Sequence, residues 1–224
     1  MRTVFLLPFA ILFVFLSAAF CRALCVEWSI LCGEWNRFLF VGIGVAIYIV
    51  SRFFLFLAHR NLEFLETFCH ELNHTVFALL SFRRIESFFA HAEKGGRVTF
   101  RGSPNPVIAL APYAFPLFAF CAALLSLVLI PRAREVVQVV VGFFLAFHLG
   151  YVVRDAHPGQ TDLQLYGYPF SYSAIAFFNL FWIFFVLETG TCGLRGGLAW
   201  IKTGFGFAWD WIVSFGRFLW NGSF

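Results

Sequence analysis

Residues 62–82 read LEFLETFCHELNHTVFALLSF. The segment has the length of a membrane crossing, yet it carries His70, Glu71 and His74 at its middle. In hydrocarbon each of these side chains costs free energy unless it is paired or coordinated. What they coordinate therefore decides what kind of membrane protein this is.

The rest of the chain sets that context. Of its 224 residues 61% are apolar and 12% charged, with 34 Phe and 7 Trp, whereas a soluble domain is roughly a quarter charged. Apolar runs near Val4 to Leu24, Phe38 to Leu57, Leu62 to Phe82, Pro106 to Ile130, Val136 to Val153 and Leu163 to Leu187 predict about six transmembrane helices. The expected fold is thus an all-α polytopic membrane protein, built as a single membrane-embedded domain. The tail, residues 196–224, mixes Trp, Phe and Gly with a few charges and reads as an interfacial amphipathic segment, with Lys202 and Arg217 among the headgroups. The first run opens with Arg2 and has an apolar core followed by Ser17, Ala18 and Ala19, so a cleaved signal peptide competes with a retained span. Its length and Phe20 favour the span.

Several classes are set aside. A net charge of +4 without basic stretches interleaved with stacking aromatics gives no nucleic-acid surface. The six cysteines lack CxxC spacing, which argues against a disulfide framework or a cysteine metal site. Lys and Arg divide evenly between the two sides of the predicted spans, so orientation stays open, as does the oligomeric state.

On a helix, His70 and His74 project from one face a turn apart, and both imidazoles can reach one ion. In an HExxH arrangement the glutamate is not a ligand. Glu71 would lie beside the metal and take a proton from the water that the metal activates. One Zn2+ per chain would make the buried polarity tolerable, since zinc lowers the pKa of its water to about 7 and stabilises nearby carboxylates.

After this helix, SFRRIESFFAHAEKGGRVTFRGSPNP (81–106) alternates around Gly95 and Gly96 and predicts a short β-hairpin over Glu86 to Arg101. Its edge would accept an extended peptide; a solvated loop is the plain alternative. Pro104, Pro106, Pro112 and Pro116 follow. The last two would kink a span and free backbone carbonyls, either to open a cavity or only for packing.

A catalytic zinc needs a third protein ligand and one open position. Candidates are Asp162, His148, His157, Asp155 and His91. RDAHPGQTDLQLYGYPFSY (154–172) holds two of the three aspartates of the chain among Pro158, Gly159, Gly167 and Pro169, and broken backbone at membrane depth is tolerated where it lines a wet cavity. Asp162 is therefore the expected third ligand and His148 the runner-up, while plain loop carboxylates are the competing reading. Asn105 and Gln160, near proline-broken segments, are candidates for oxyanion stabilisation or substrate positioning.

At these residues the sequence resembles the site-2 protease family of intramembrane zinc metalloproteases, in its short bacterial-type form without a PDZ insertion. The likeness covers roughly Glu63 to Gly167 and rests on the HELNH motif, GGRVTF, the proline-bent APYAFP and the later Asp162. It implies zinc held by His70, His74 and Asp162, with Glu71 as general base and later proton donor. It further implies a catalytic core over about 62–187, hydrolysis of membrane-protein or membrane-tethered peptide substrates, and a multi-pass place in the lipid bilayer of a bacterial cytoplasmic membrane. Two positions depart from the family: Asn73 stands where a small residue precedes the second histidine, and Leu163 replaces the Gly that follows the aspartate. The rival functions are a catalytically silent membrane scaffold or chaperone, which would lack the base or a ligand; a metal transporter, whose polar residues would be spread through the membrane depth; and a purely structural membrane protein.

Overall fold

The computed structural model describes residues 5–33, 35–59, 62–103 and 105–221. Arg2, Val4 and Pro104 lie outside the described residues, as does the end of the tail from residue 222. About 80% of the structure is helical. In chain order the helices are α1 (Leu7–Gly33), α2 (Leu39–Leu57), α3 (Glu63–Leu80), α4 (Pro106–Ala114), α5 (Leu117–Ser126), α6 (Pro131–Asp155), α7 (Thr161–Tyr166), α8 (Tyr168–Cys192) and α9 (Leu194–Asn221), and the hairpin β1 (Ile85–His91) and β2 (Gly95–Phe100) follows α3.

Four stretches are long and apolar enough to cross a membrane: Leu7–Glu27, Asn36–Leu57, Ala133–Asp155 and Tyr168–Cys192. The bent pair α4 and α5 makes a fifth if it counts as one span. The structure thus supports an integral membrane protein with four to five candidate spans among the described residues, and the expected count of six is not confirmed. Helix α3 is not among the candidates by composition: it is helical for 18 residues but carries Glu63, Glu66, His70, Glu71, Asn73 and His74, of which Glu66, His70, Glu71 and Asn73 are buried within the protein. The sixth run also begins later than expected. Gly167, at φ +83°, separates the short α7 from α8, so the span starts at Tyr168.

Helix α8 is central, packed by α1, α5, α6 and α9. Phe20, Val141, Phe177, Val186 and Trp200 form the main cluster, and the Trp200 indole donates to the Phe181 carbonyl at 3.1 Å. Helices α2 and α6 approach backbone to backbone. A Cβ at Gly44 would sit 1.9 Å from the Val139 carbonyl oxygen, and one at Gly142 would sit 2.0 Å from that of Val41, the small-residue contact by which membrane helices pack without a hydrophobic driving force. The tail is one long helix, α9. Its Trp200 and Ala208 are buried, while Lys202, Arg217, Phe215, Phe218 and Trp220 are exposed.

Helices α4 and α5 are bent by 73° at Phe115 and Pro116. Asn105 caps α4, its side-chain oxygen accepting from the Ile108 amide at 2.8 Å, and Pro106 begins the helix where its missing N–H costs nothing. The hairpin lies where the alternation predicted it. Its strands are antiparallel, with an irregularity between Ile85 and Ser87, and Phe88 packs edge-on against Phe68 of α3 with ring centroids 5.5 Å apart.

Candidate metal centre

Helix α3 turns Glu66, Cys69, His70 and Asn73 inward along one face, the spacing by which i, i+3 and i+4 side chains share a stripe. His70 and His74 have ring centroids 4.9 Å apart. Asp162, in the first turn of α7, meets them from across the fold. Its Oδ2 lies 3.3 Å from His74 Nε2 and 3.9 Å from His70 Nε2, and one ligand atom from each of the three residues falls within 4.8 Å of the others. Two imidazole nitrogens and a carboxylate oxygen form a typical zinc donor set, and bonds of about 2.0–2.1 Å at tetrahedral angles would set such atoms about 3.4 Å apart. The trio therefore fits a zinc ion after small adjustments.

His74 and Asp162 are held from behind. His74 Nδ1 lies 2.9 Å from the Ile108 carbonyl oxygen. A carbonyl only accepts, so Nδ1 carries the proton and Nε2 presents its lone pair to the centre. In an unbroken helix this carbonyl would accept from the amide four residues on, but that residue is Pro112, which has no N–H. The kinked helix thus supplies the acceptor that orients the histidine. The Tyr113 hydroxyl donates to Asp162 Oδ2 at 3.4 Å. Leu163, where the family has Gly, is fully buried among Leu110, Tyr113, Phe170 and Ala174 and so anchors the turn that carries Asp162.

Glu71 is buried beside the trio. Strand β2 crosses directly above it: a Cβ at Gly96 would fall 2.3 Å from Glu71 Cγ and 2.4 Å from Oε1. Two cavities meet there. One, of about 470 Å³, is lined by His70, Glu71, His74, Asp162 and the run Gly96 to Phe100. The other, of about 440 Å³, is lined by Glu63, Thr67, Glu93 and Asp155 together with His70, Glu71 and Gly96. Gln160 borders both.

The remaining candidates lie outside the trio. His148 is buried with both ring nitrogens engaged, Nδ1 with the Tyr151 hydroxyl at 2.8 Å and Nε2 with Asn179 Oδ1 at 3.0 Å. The Asn179 amide donates to the Tyr113 carbonyl at 2.6 Å, beside the α4 break. Asn73 belongs to the same network, donating to the Cys69 carbonyl at 3.1 Å and the Tyr151 hydroxyl at 3.5 Å, which gives the departure from a small residue a physical reason. His91 and His157 accept from backbone amides of their own turns. The Asn105 amide group lies 3.4 Å from Ser81 Oγ, and its oxygen caps α4. Asp155 Oδ2 stands 3.7 Å from His70 Nδ1. The pattern in the sequence did not reveal Gly96 as the cover of Glu71, or Tyr113 as the partner of Asp162; the prolines did signal a freed carbonyl.

Among known proteins, the family described as Peptidase M50B-like matches residues 40–187, which is most of the chain and includes all the elements around the centre. No curated protein and no solved structure matches it.

Proposed function

Since the chain belongs to the Peptidase M50B-like family, which is the site-2 protease family, we propose that it is a zinc metalloprotease that hydrolyses peptide bonds of membrane-protein or membrane-tethered substrates. The observation that carries this reading is the convergence of His70, His74 and Asp162 beside Glu71, beneath β2.

His70, His74 and Asp162 hold the ion. Bound zinc supplies Lewis acidity, polarising the scissile carbonyl and lowering the pKa of water. Glu71 takes the proton of the attacking water and delivers it to the leaving amine. The segment Gly96 to Phe100 of β2 lines the larger cavity, and an extended substrate paired along it would lie against Glu71 and the two histidines. Gln160, which borders both cavities, is the proposed donor to the developing oxyanion, whereas Asn105 serves as a helix cap.

The test is zinc per chain, by elemental analysis of detergent-purified protein, together with cleavage of a membrane-tethered peptide. About one zinc and turnover in the wild type, with neither in His70→Ala/His74→Ala, is the expected result. Protein purified without chelators that holds no zinc would overturn the reading and leave the silent scaffold in its place.

A further inference from the structure

His70 differs from its partner histidine in one respect. Its Nδ1 is buried and has no hydrogen-bond partner among the described residues. Leaving such an atom unpaired costs free energy, and the second nitrogen of a metal-binding histidine is ordinarily held by an acceptor that fixes tautomer and ring orientation. The Ile108 carbonyl does this for His74. For His70 the facing group is the Asp155 carboxylate, at 3.7 Å.

Asp155 is held in place. Arg154 Nε donates to Asp155 Oδ1 at 2.6 Å and Nη2 donates to Oδ2 at 3.0 Å, the paired geometry that gives arginine–carboxylate contacts directional strength. The remaining arm of the same guanidinium bonds Glu66, a glutamate 1% exposed, which Arg52 of α2 grips as well. Glu66 and His70 are four residues apart and therefore stacked on one face of α3. The last two residues of α6 thus meet α3 at successive turns, Arg154 at Glu66 and Asp155 at His70. Each carboxylate oxygen has two acceptor positions, so Oδ2 can take a second donor while Arg154 keeps the first.

We infer that Asp155 is a positioning residue for His70: it accepts the Nδ1 proton and thereby turns Nε2 toward the metal, while Arg154, braced by Glu66 and Arg52, fixes the carboxylate. This rests on the zinc reading above. It also separates Asp155 from the ligands. The carboxylate approaches the nitrogen opposite the one that faces Asp162, it is not one of the three residues that converge, and Arg154 occupies both of its oxygens.

The experiment is a zinc competition titration against a chromophoric chelator on the full chain in detergent, with cobalt-substituted absorption spectra beside it. Asp155→Ala is expected to bind one zinc with affinity about 10–100-fold weaker, the usual loss when an outer partner of a ligand is removed, and to keep the wild-type cobalt spectrum. Asp155→Asn, which retains an acceptor oxygen, should recover most of the affinity, as a merely structural role would not require. Asp162→Ala should lose the ion and the spectrum together. Wild-type affinity in Asp155→Ala overturns the inference but leaves the zinc reading standing; a cobalt spectrum altered as in Asp162→Ala makes Asp155 a ligand and also overturns it. Absence of zinc from the wild type removes both. Should Asp155→Ala not fold, nitrogen NMR of histidine-labelled, zinc-loaded wild type decides: a proton on His70 Nδ1 and metal on Nε2 support the inference, and the reverse sinks it.

Discussion

His74 donates from Nδ1 to the carbonyl of Ile108 at 2.9 Å, and that carbonyl is available because Pro112 brings no amide to it. A feature that weakens the helix therefore orients a proposed metal ligand. Pro112→Ala would restore the competing N–H and draw the carbonyl back into the helix. Zinc affinity should fall by about tenfold or more, while the stability of the zinc-free protein is maintained or rises, since an interior proline costs a helix about 3 kcal/mol. Chelator titration and thermal unfolding in detergent measure the two effects; unchanged affinity would show that His74 is oriented without Ile108.

Gly96 and Glu71 make a steric prediction. A methyl group at residue 96 would overlap Glu71 Cγ, Cδ and Oε1, so Gly96→Ala must lift β2 or displace the proposed base. Zinc content should be unchanged, because neither group is a ligand. Hydrolysis should fall about 100-fold, the scale on which an ångström of misplacement acts in catalysis. Wild-type turnover in this variant would mean that the strand stands clear of the reacting atoms.

His148 and Asp162 part company in a third prediction. His148→Ala should keep one zinc per chain, because both of its nitrogens are committed to Tyr151 and Asn179. It should instead lose about 1–3 kcal/mol of stability, as partners of a buried group are left unsatisfied. If this variant loses zinc while Asp162→Ala retains it, the third ligand has been misassigned.

These contacts show which parts of the molecule could be read from the chain. The hairpin, the helical register of His70 and His74 and the proline-bent segment were legible because alternation, a four-residue spacing and a missing N–H are local properties. Asp162 could be nominated from the broken backbone around it, but its meeting with α3 depends on how α7 docks. The count of six spans is unconfirmed at α3, where length and flanking apolarity suggest a crossing but the stripe of Glu66, His70, Asn73 and their neighbours is more polar than an ordinary span. Asn73 and Leu163 looked like defects in a motif. In the fold each has a partner that no spacing rule announces, Tyr151 for the first and the α4–α8 cluster for the second.

The most direct division between binding and chemistry is Glu71→Gln. The substitution keeps size and hydrogen-bonding capacity beneath Gly96, so β2 should stay in place, and it leaves His70, His74 and Asp162 untouched. What it removes is a group able to take a proton from water and return it to an amine. Zinc stoichiometry and affinity should therefore match the wild type, while cleavage of a membrane-tethered peptide falls by about 100- to 10,000-fold, the range over which positioned acid–base groups contribute. A silent scaffold predicts no cleavage in either protein, and a transporter predicts metal flux that is indifferent to the change. Turnover retained in Glu71→Gln would assign the proton transfer to another group, and Glu63 and Glu93, which line the adjoining cavity, would be the next carboxylates to replace.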